Sequence, residues 1–226
     1  MDDVEVLNSE RHADVRMMSG DQTGSPFVRI VTSEFAAAVV SCPLLFSKHA
    51  ETGAFYVGAL LGFKEGELLI DRPDGKAAFR PLEADREGFF ATGEHIALDR
   101  THPRFSGSGQ PLFDDRGGAT LVLKSAQAAL GRLIAGAEAT DAFITAMRDH
   151  RLIEPIDITL NFDDGERLHL DGLYTVSLDA LGDLDDATAL TLFRAGHLQH
   201  AYMMVASLQH IALMARRRNE RLAAGV

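Results

Sequence analysis

The sequence predicts an α+β fold, in which an antiparallel strand meander and hairpins lead into a helical C-terminal portion. Three observations support this class. Apolar side chains occupy every second position in residues 55–63 and again in 156–162, which is typical of strands with one buried face. The turn sequence Asp163-Asp164-Gly165 separates the second run from a returning one. From about Asp186 to Ala223 the apolar spacing changes to three and four, as in helices.

The N-terminal half predicts a tail followed by strands. Residues 1–26 are polar and have neither a period of 2 nor of 3.6, so we expect a mobile tail there. A single domain is expected over residues 27–226. After a first strand near Val28, the run 55–63 is followed by a hairpin turn at 64–67 and a return strand at 68–71.

The second half alternates between loop, helix and hairpin. The glycine- and serine-rich segment 102–110 predicts a loop and a subdomain boundary. We expect one helix over 121–135 and a second that starts at Ala139 or Thr140 and stops before Pro155. A hairpin over 156–176 follows, and Gly196 is expected to split the C-terminal helical region.

Composition excludes several functional classes. Lysine and arginine number 22 against 33 acids, and the net charge of −11 disfavours binding to nucleic acid or anionic lipid. The single cysteine, Cys42, cannot form an internal disulfide, and its apolar neighbours predict a buried thiol. The apolar run from Phe35 to Phe46 is shorter than the roughly 20 residues of a transmembrane helix and is expected to pack in the core. The acidic first residues do not resemble a secretory signal, so we expect a cytoplasmic protein.

His169 and Asp171 carry the sharpest chemical hypothesis. The sequence His-x-Asp together with a later histidine is how some non-haem iron oxygenases hold Fe(II) with two imidazoles and one carboxylate. His197, His200 or His210 would supply the third ligand. The alternative interpretation is an exposed strand face opposite Leu168 and Leu170, and no cofactor is predicted.

His197 and His200 form a second candidate for a divalent metal. Their spacing of three places both imidazoles on one helical face. They also lie on the apolar stripe that continues to Met204, so packing at the edge of the core is the alternative. His210 falls on a neighbouring face and is expected to be structural.

Two further charged groups have both functional and structural interpretations. The acids in 99–102 and 114–118 could bind cations or act as bases, but aspartate and glycine also form ordinary turns. The cluster of Arg216, Arg217, Arg218 and Arg221 could bind an acidic protein partner. Near the end of a helix, such cations also complement the helix dipole and the last carbonyls.

The order of these elements, with particular residues at set places, resembles the bacterial SapC family, a group first associated with surface-layer gene loci. The resemblance covers about Val28 to Leu213. It rests on the following segments: Glu34-Phe35, Pro43, Phe46, Leu60-Leu61-Gly62, Leu68, Leu112-Phe113-Asp114, Asp164-Gly165, Leu170, Gly172-Leu173-Tyr174, Leu178, Gly196-His197-Leu198 and Ser207-Leu208.

Two segments depart from the family pattern. Ala77-Ala78-Phe79 stands where relatives often carry a tryptophan, and Asp85-Arg86-Glu87-Gly88-Phe89 stands where they often carry paired arginines before Pro-Phe. The resemblance implies a fold and a family, without a catalytic mechanism.

The sequence thus leaves three functional hypotheses, and none identifies a protein or small-molecule partner. The first is a soluble binding or accessory factor linked to surface-protein or nutrient-uptake systems. The second is a metal-dependent oxygenase that uses the histidines named above. The third is a structural homo-oligomer built through the C-terminal helices.

Overall fold

The structure, a computed structural model, describes residues 4–18, 24–72, 74–105 and 107–225. It confirms the α+β class, with antiparallel sheets and hairpins and a helical C-terminal portion. The strands are β1 (Val4–Val6), β2 (Arg16–Met17), β3 (Phe27–Arg29), β4 (Leu44–Lys48), β5 (Phe55–Leu60), β6 (Phe89–Thr92), β7 (His95–Asp99), β8 (Gln110–Pro111), β9 (Ile153–Pro155), β10 (Thr159–Asn161), β11 (Arg167–His169) and β12 (Leu173–Val176). The helices are α1 (Phe35–Ala38), α2 (Leu82–Arg86), α3 (Leu121–Asp149), α4 (Leu178–Gly182), α5 (Asp186–Arg194), α6 (His197–Ser207) and α7 (Gln209–Ala224).

The chain divides into two compact units. Unit 1 comprises Met1–Thr23 and Arg80–Ala135, and unit 2 comprises Gly24–Phe79 and Gly136–Val226. The sequence analysis placed a subdomain boundary near 102–110 within one domain. The described residues of that segment lie inside unit 1, because β8 at its end pairs with β2 from the N-terminal segment.

Residues 4–18, which the sequence analysis assigned to a mobile tail, form paired strands in unit 1. Strand β1 pairs antiparallel with β7, with Val6 opposite Ala97, and β2 pairs with β8. Val15 and Met17 are buried in the core of this unit. Strands of three and two residues are too short to show a period of 2, so only their partners reveal them.

The sheet of unit 2 has the strand order β3-β5-β4-β12-β9. Phe46 on β4 lies opposite Val57 on β5 and Tyr174 on β12. Its ring stacks 5.9 Å from that of Phe143 on α3, and Phe143 meets Phe35 of α1 edge to face at 5.8 Å. These aromatic contacts form the centre of the core between sheet and helices.

The predicted return strand 68–71 does not form. The turn at 64–67 is present, with a bond from the Glu67 N–H to the Lys64 carbonyl, but only the Leu69 N–H reaches back, to the Leu61 carbonyl. The carbonyls of residues 68, 69 and 71 accept hydrogen bonds from arginines of α7 instead of extending a strand ladder.

Helix α3 is continuous where the sequence analysis expected two helices. Thr140 was the candidate N-cap of the second helix. Its hydroxyl instead donates to the Gly136 carbonyl within the helix at 2.7 Å and accepts from the Thr32 N–H at 2.9 Å. The side chain therefore finds its partners without breaking the helix.

The second hairpin and the break at Gly196 are confirmed. Strands β10 and β11 pair with Leu160 opposite Leu168, and Gly165 in the turn has a φ of 85°. Gly196 separates α5 from α6 with a φ of 78°, a left-handed conformation that suits glycine. Across the described residues, every helix is too short or too polar to cross a bilayer.

Candidate functional site

His169 and Asp171 lie together at the exposed end of the β10–β11 hairpin. His169 Nε2 is 3.1 Å from Asp171 Oδ1, and His169 Nδ1 is 3.0 Å from the Thr159 hydroxyl. The side chains of the histidine and the aspartate are 44% and 83% exposed. The arrangement aligns a hydroxyl, an imidazole and a carboxylate, but both ring nitrogens already have protein partners. A metal would have to displace one of them.

Thr159 is the member of this row that the sequence analysis missed. The hairpin turn places Thr159 opposite His169 in the antiparallel register. Since facing side chains in a hairpin are about 5 Å apart, the predicted turn contained the signal for this contact.

His197 and His200 pack against the aromatic core of unit 2. The His200 ring lies 5.3 Å from the Phe35 ring and 5.5 Å from the Phe143 ring, and His197 lies 5.9 Å from Phe143. Burial lowers the pKa of both imidazoles, and the charge of His197 lowers the pKa of His200 further. Nδ1 of His200 is buried without a hydrogen-bond partner among the described residues. The pair is therefore held neutral at neutral pH, as packing at the core edge would require.

His210 has a structural contact. Its Nε2 is 2.9 Å from the carbonyl oxygen of Val39, so it connects α7 with the residue that follows α1. This agrees with the structural role expected from its position on a neighbouring helical face.

The predicted metal ligands thus have three different environments. Within the described part of the chain, no group of three or more His, Cys, Asp and Glu side chains is arranged to hold a metal ion. His169 and Asp171 come together, as do His197 and His200, but neither pair gains a third ligand from the described residues. Metal binding by these residues stays a prediction.

Cys42 is fully buried, and its thiol lies 3.4 Å from the Ala38 carbonyl. Burial, and after it the negative charge of Glu34, raise the pKa of the thiol far above its ordinary value. A thiol that cannot ionise is a poor nucleophile. Cys42 is thus a small apolar core residue.

Helix α5 presents large apolar side chains to solvent. Phe193 is 68% exposed and Leu190 is 47% exposed, and their spacing of three places them on one face. Both ends of the helix are fixed. Asp185 accepts the Thr188 N–H at 2.9 Å, and the Gly196 N–H bonds to the Phe193 carbonyl. Fraying therefore does not explain the exposure.

A comparison with protein-family models decides the classification. The SapC family model matches residues 7–214 of the 226-residue chain. The chain belongs to the SapC family. No curated protein and no solved structure matches it.

The matched range of this SapC protein includes most of its N-terminal segment. The match begins at residue 7, whereas the sequence analysis began the resemblance near Val28. Residues 7–18 contain β2 and the buried Val15, which supports their place in the folded part of unit 1.

The family residues Asp114, Gly62 and Gly172 have local structural roles in this SapC protein. Oδ1 of Asp114 accepts the N–H groups of Arg116 and Gly118, which confirms the turn interpretation of 114–118. The backbone oxygen of Glu67 occupies the space where a Cβ of Gly62 would lie. Gly172 has a φ of 71° between β11 and β12.

The arginines at the end of this SapC protein bind the chain itself. Arg217 Nη1 donates to the carbonyl oxygens of Leu69 and Asp71, at 2.7 and 3.0 Å. Arg221 donates to the Leu68 carbonyl at 2.7 Å and to the Asp71 carboxylate at 2.6 Å. The carbonyl groups that accept hydrogen bonds from these two arginines belong to the 68–71 segment rather than to the end of α7.

Arg218 is the buried member of this arginine cluster. It pairs with Glu67 at 3.2 Å and with Glu166 at 2.7 Å, and its guanidinium lies 4.1 Å from the centre of the Phe162 ring. Lys64 also binds Glu166, at 2.6 Å, and together the two cations lower the pKa of that carboxyl. The network connects α7 with the 64–67 turn and the β10–β11 turn. The sequence analysis did not predict it, because its members are far apart in the chain.

Proposed function

We propose that this SapC protein is a soluble, cytoplasmic binding or accessory factor that works by holding a partner protein, in connection with surface-protein or nutrient-uptake systems. The observation that carries the proposal is the exposed pair Leu190 and Phe193 on α5. Phe193 is 68% exposed and Leu190 is 47% exposed on the same helical face, and grouped exposed apolar side chains of this kind mark interaction sites.

The pair suits an apolar groove on a protein. Leu190 and Phe193 have the spacing at which a helix inserts anchors into such a groove, and the capped α5 presents them without an ordering cost. Burying one such side chain contributes about 1.5–3 kcal/mol. Asp183, Asp185 and Asp186 at the start of the helix would be repelled by an anionic lipid surface, which disfavours such a surface as the binding partner of Leu190 and Phe193.

Several of the remaining candidate residues are occupied within the fold. The thiol of Cys42 is buried, and His210 and the arginines of α7 make internal contacts. The surface-system link is the context in which the SapC family was first described, and it is part of this proposal.

Site-specific photo-crosslinking in the native cell tests the proposal. A benzoylphenylalanine at Phe193 should give a discrete crosslinked species, and the same residue at Ala139, an exposed position on α3, should not. The substitution Leu190→Asp should abolish the species, because a carboxylate cannot enter an apolar groove. Equal crosslinking at both positions, or none at Phe193, would contradict the proposal.

Elemental analysis separates this proposal from the oxygenase hypothesis. Purified protein with one equivalent of iron that is lost in His169→Ala would establish a metal centre at the hairpin. Metal content unaffected by that substitution would reject this site. The measurement does not depend on the α5 surface.

A further inference from the structure

Helices α6 and α7 present one continuous exposed stripe in unit 2. Leu208 joins the two helices with helical dihedrals, φ −59° and ψ −29°, and hydrogen bonds of i→i−3 spacing lie on either side of it. Six exposed positions follow spacings of three and four residues, and we call them the α6–α7 seam: Gln199, Tyr202, Ala206, Gln209, Leu213 and Arg216. Ala212, next to Leu213, is exposed as well. Steps of three and four residues in alternation are also the pattern with which two helices pack along each other.

Helices α6 and α7 have two different faces. One face packs in the core of unit 2, and the seam lies on the opposite face. Met204, Ser207, Ile211 and Met214 are buried against unit 2. Tyr202 and Leu213 on the outer face are nevertheless 53% and 46% exposed. The helix pair thus carries a second stripe, in which Arg216 is charged and the other five members are neutral, and no element among the described residues covers it.

The charge of the seam is unusual for this chain. No Asp or Glu occurs from Ala187 to Ala215, although the protein has 33 acids in 226 residues and a net charge of −11. Depletion of charged side chains is the compositional mark of an interface core. For two copies that repel each other through their net charge, the acid-free seam is a face on which contact brings no carboxylates together.

We propose that the α6–α7 seam binds a second copy of this chain, with the two seams antiparallel about a two-fold axis next to Ser207 and Leu208. In that register Tyr202 faces the second copy's Leu213, and Ala206 faces the second copy's Gln209. Each pairing combines a larger with a smaller side chain, and each occurs twice, as a two-fold interface requires. Gln199 faces the second copy's Arg216, and the side-chain oxygen of Gln199 is a neutral acceptor for the guanidinium of that arginine.

The length of the seam sets the expected strength. The stretch of α6 and α7 from Gln199 to Arg216 spans about 25 Å at 1.5 Å per residue. One contact of that length is small beside the roughly 1,200–2,000 Å² of stable complexes, so we expect a weak dimer whose population depends on concentration. This inference goes beyond the proposed function and rests on other residues than Leu190 and Phe193, so either can fail alone.

Sedimentation equilibrium of the full chain tests the dimer. We expect the mass to rise from 24.5 kDa towards twice that value with increasing concentration. Ala206→Glu should weaken self-association at least tenfold, because the axis brings two new carboxylates close together. Ala139→Glu adds the same charge at an exposed alanine of α3 and should have no effect. A wild-type monomer throughout, or a dimer that tolerates Ala206→Glu, would overturn the inference.

Engineered cysteines test the register. The natural thiol, Cys42, is buried and gives no background. Mild oxidation of the double variant Tyr202→Cys and Leu213→Cys should yield a covalent dimer. The matched pair Tyr202→Cys and Ala139→Cys should yield no covalent dimer under the same oxidation. A dimer by mass in which the first pair fails to crosslink would refute the antiparallel register.

Discussion

Gly62 shows how one missing side chain can be required by the fold. A Cβ at this position would overlap the backbone oxygen of Glu67 and approach that residue's carbonyl carbon at 2.8 Å. Backbone atoms cannot move aside as a flexible side chain can. Gly58 on β5 differs, because there the obstacle is the ring of Phe27, in the diagonal pairing by which an aromatic side chain covers a strand glycine.

We therefore expect Gly62→Ala to lower the free energy of unfolding by about 1–3 kcal/mol, the usual cost of overpacking. Urea denaturation measures the change. Gly131→Ala is the control, because its Cβ would have no neighbour within 4 Å. In the middle of α3 it should raise stability by up to about 1 kcal/mol. Equal effects of the two changes would contradict the steric argument.

His197 and His200 should make stability depend on pH. Their folded-state pKa values lie below the ordinary 6.5, so the unfolded chain binds protons first as the pH falls. Their contribution is complete above about pH 6.5 and is lost as the pH falls towards the folded-state pKa values. Urea midpoints should therefore decrease between pH 7.5 and pH 5.

His200→Phe should flatten this dependence, since the variant has no imidazole to protonate beside Phe35 and Phe143. His150→Gln removes an exposed imidazole and should keep the wild-type slope. An unchanged slope in His200→Phe would show that other groups control the acid sensitivity.

At the scale of elements, α7 is held by its arginines as much as by its apolar face. Ile211 and Met214 anchor the helix in the core of unit 2. Beyond them, Arg217, Arg218 and Arg221 bind two turns and the 68–71 segment. A loop whose carbonyls are satisfied in this way needs no strand partner, which explains why the predicted return strand is absent.

Arg218→Ala should destabilise the protein by about 2–4 kcal/mol, because Glu67 and Glu166 lose their shared cation and Phe162 loses its contact. Arg216→Ala is the matched control. Arg216 is 71% exposed and pairs only loosely with Glu220, at 3.6 Å, so its loss should cost less than about 0.5 kcal/mol. Thermal and urea denaturation compare the two, and similar losses would argue against the buried network.

At the scale of the whole molecule, the two units have separate cores. Phe89, Leu98 and Leu112 centre the core of unit 1, while Phe35, Phe46 and Phe143 centre that of unit 2. Cys42 belongs to the second core. Its thiol is thus a built-in reporter of the opening of unit 2.

We expect Cys42 to resist Ellman's reagent in the folded protein and to react completely in urea, because burial both blocks access and raises the pKa of the thiol. Val40→Cys places a second thiol two residues away at a position that is 73% exposed, and it should react within seconds. Complete labelling of the folded wild-type protein at the rate of the Val40→Cys thiol would disprove the buried setting.

The sequence by itself determined the features that depend on a few neighbouring residues. The alternation of 156–162 with the turn at 163–165 predicted the β10–β11 hairpin. The sequence also placed His169 and Asp171 on one side of a strand; the two side chains do meet, although β11 ends at His169 and Asp171 lies in the turn that follows. The break at Gly196 and the membership of the SapC family were also visible, because periodicity, turn chemistry and family motifs are local patterns.

Only the tertiary structure decided the partners of groups that are distant in sequence. It paired β1 with β7, bonded Thr140 to Thr32 so that α3 continues, and directed Arg217 to the Leu69 carbonyl, 148 positions away. It also separated the histidines of the metal hypothesis into different environments. A polar side chain takes whichever partner packing brings within about 3 Å, and the packing of distant segments is not encoded in the spacing of neighbouring residues.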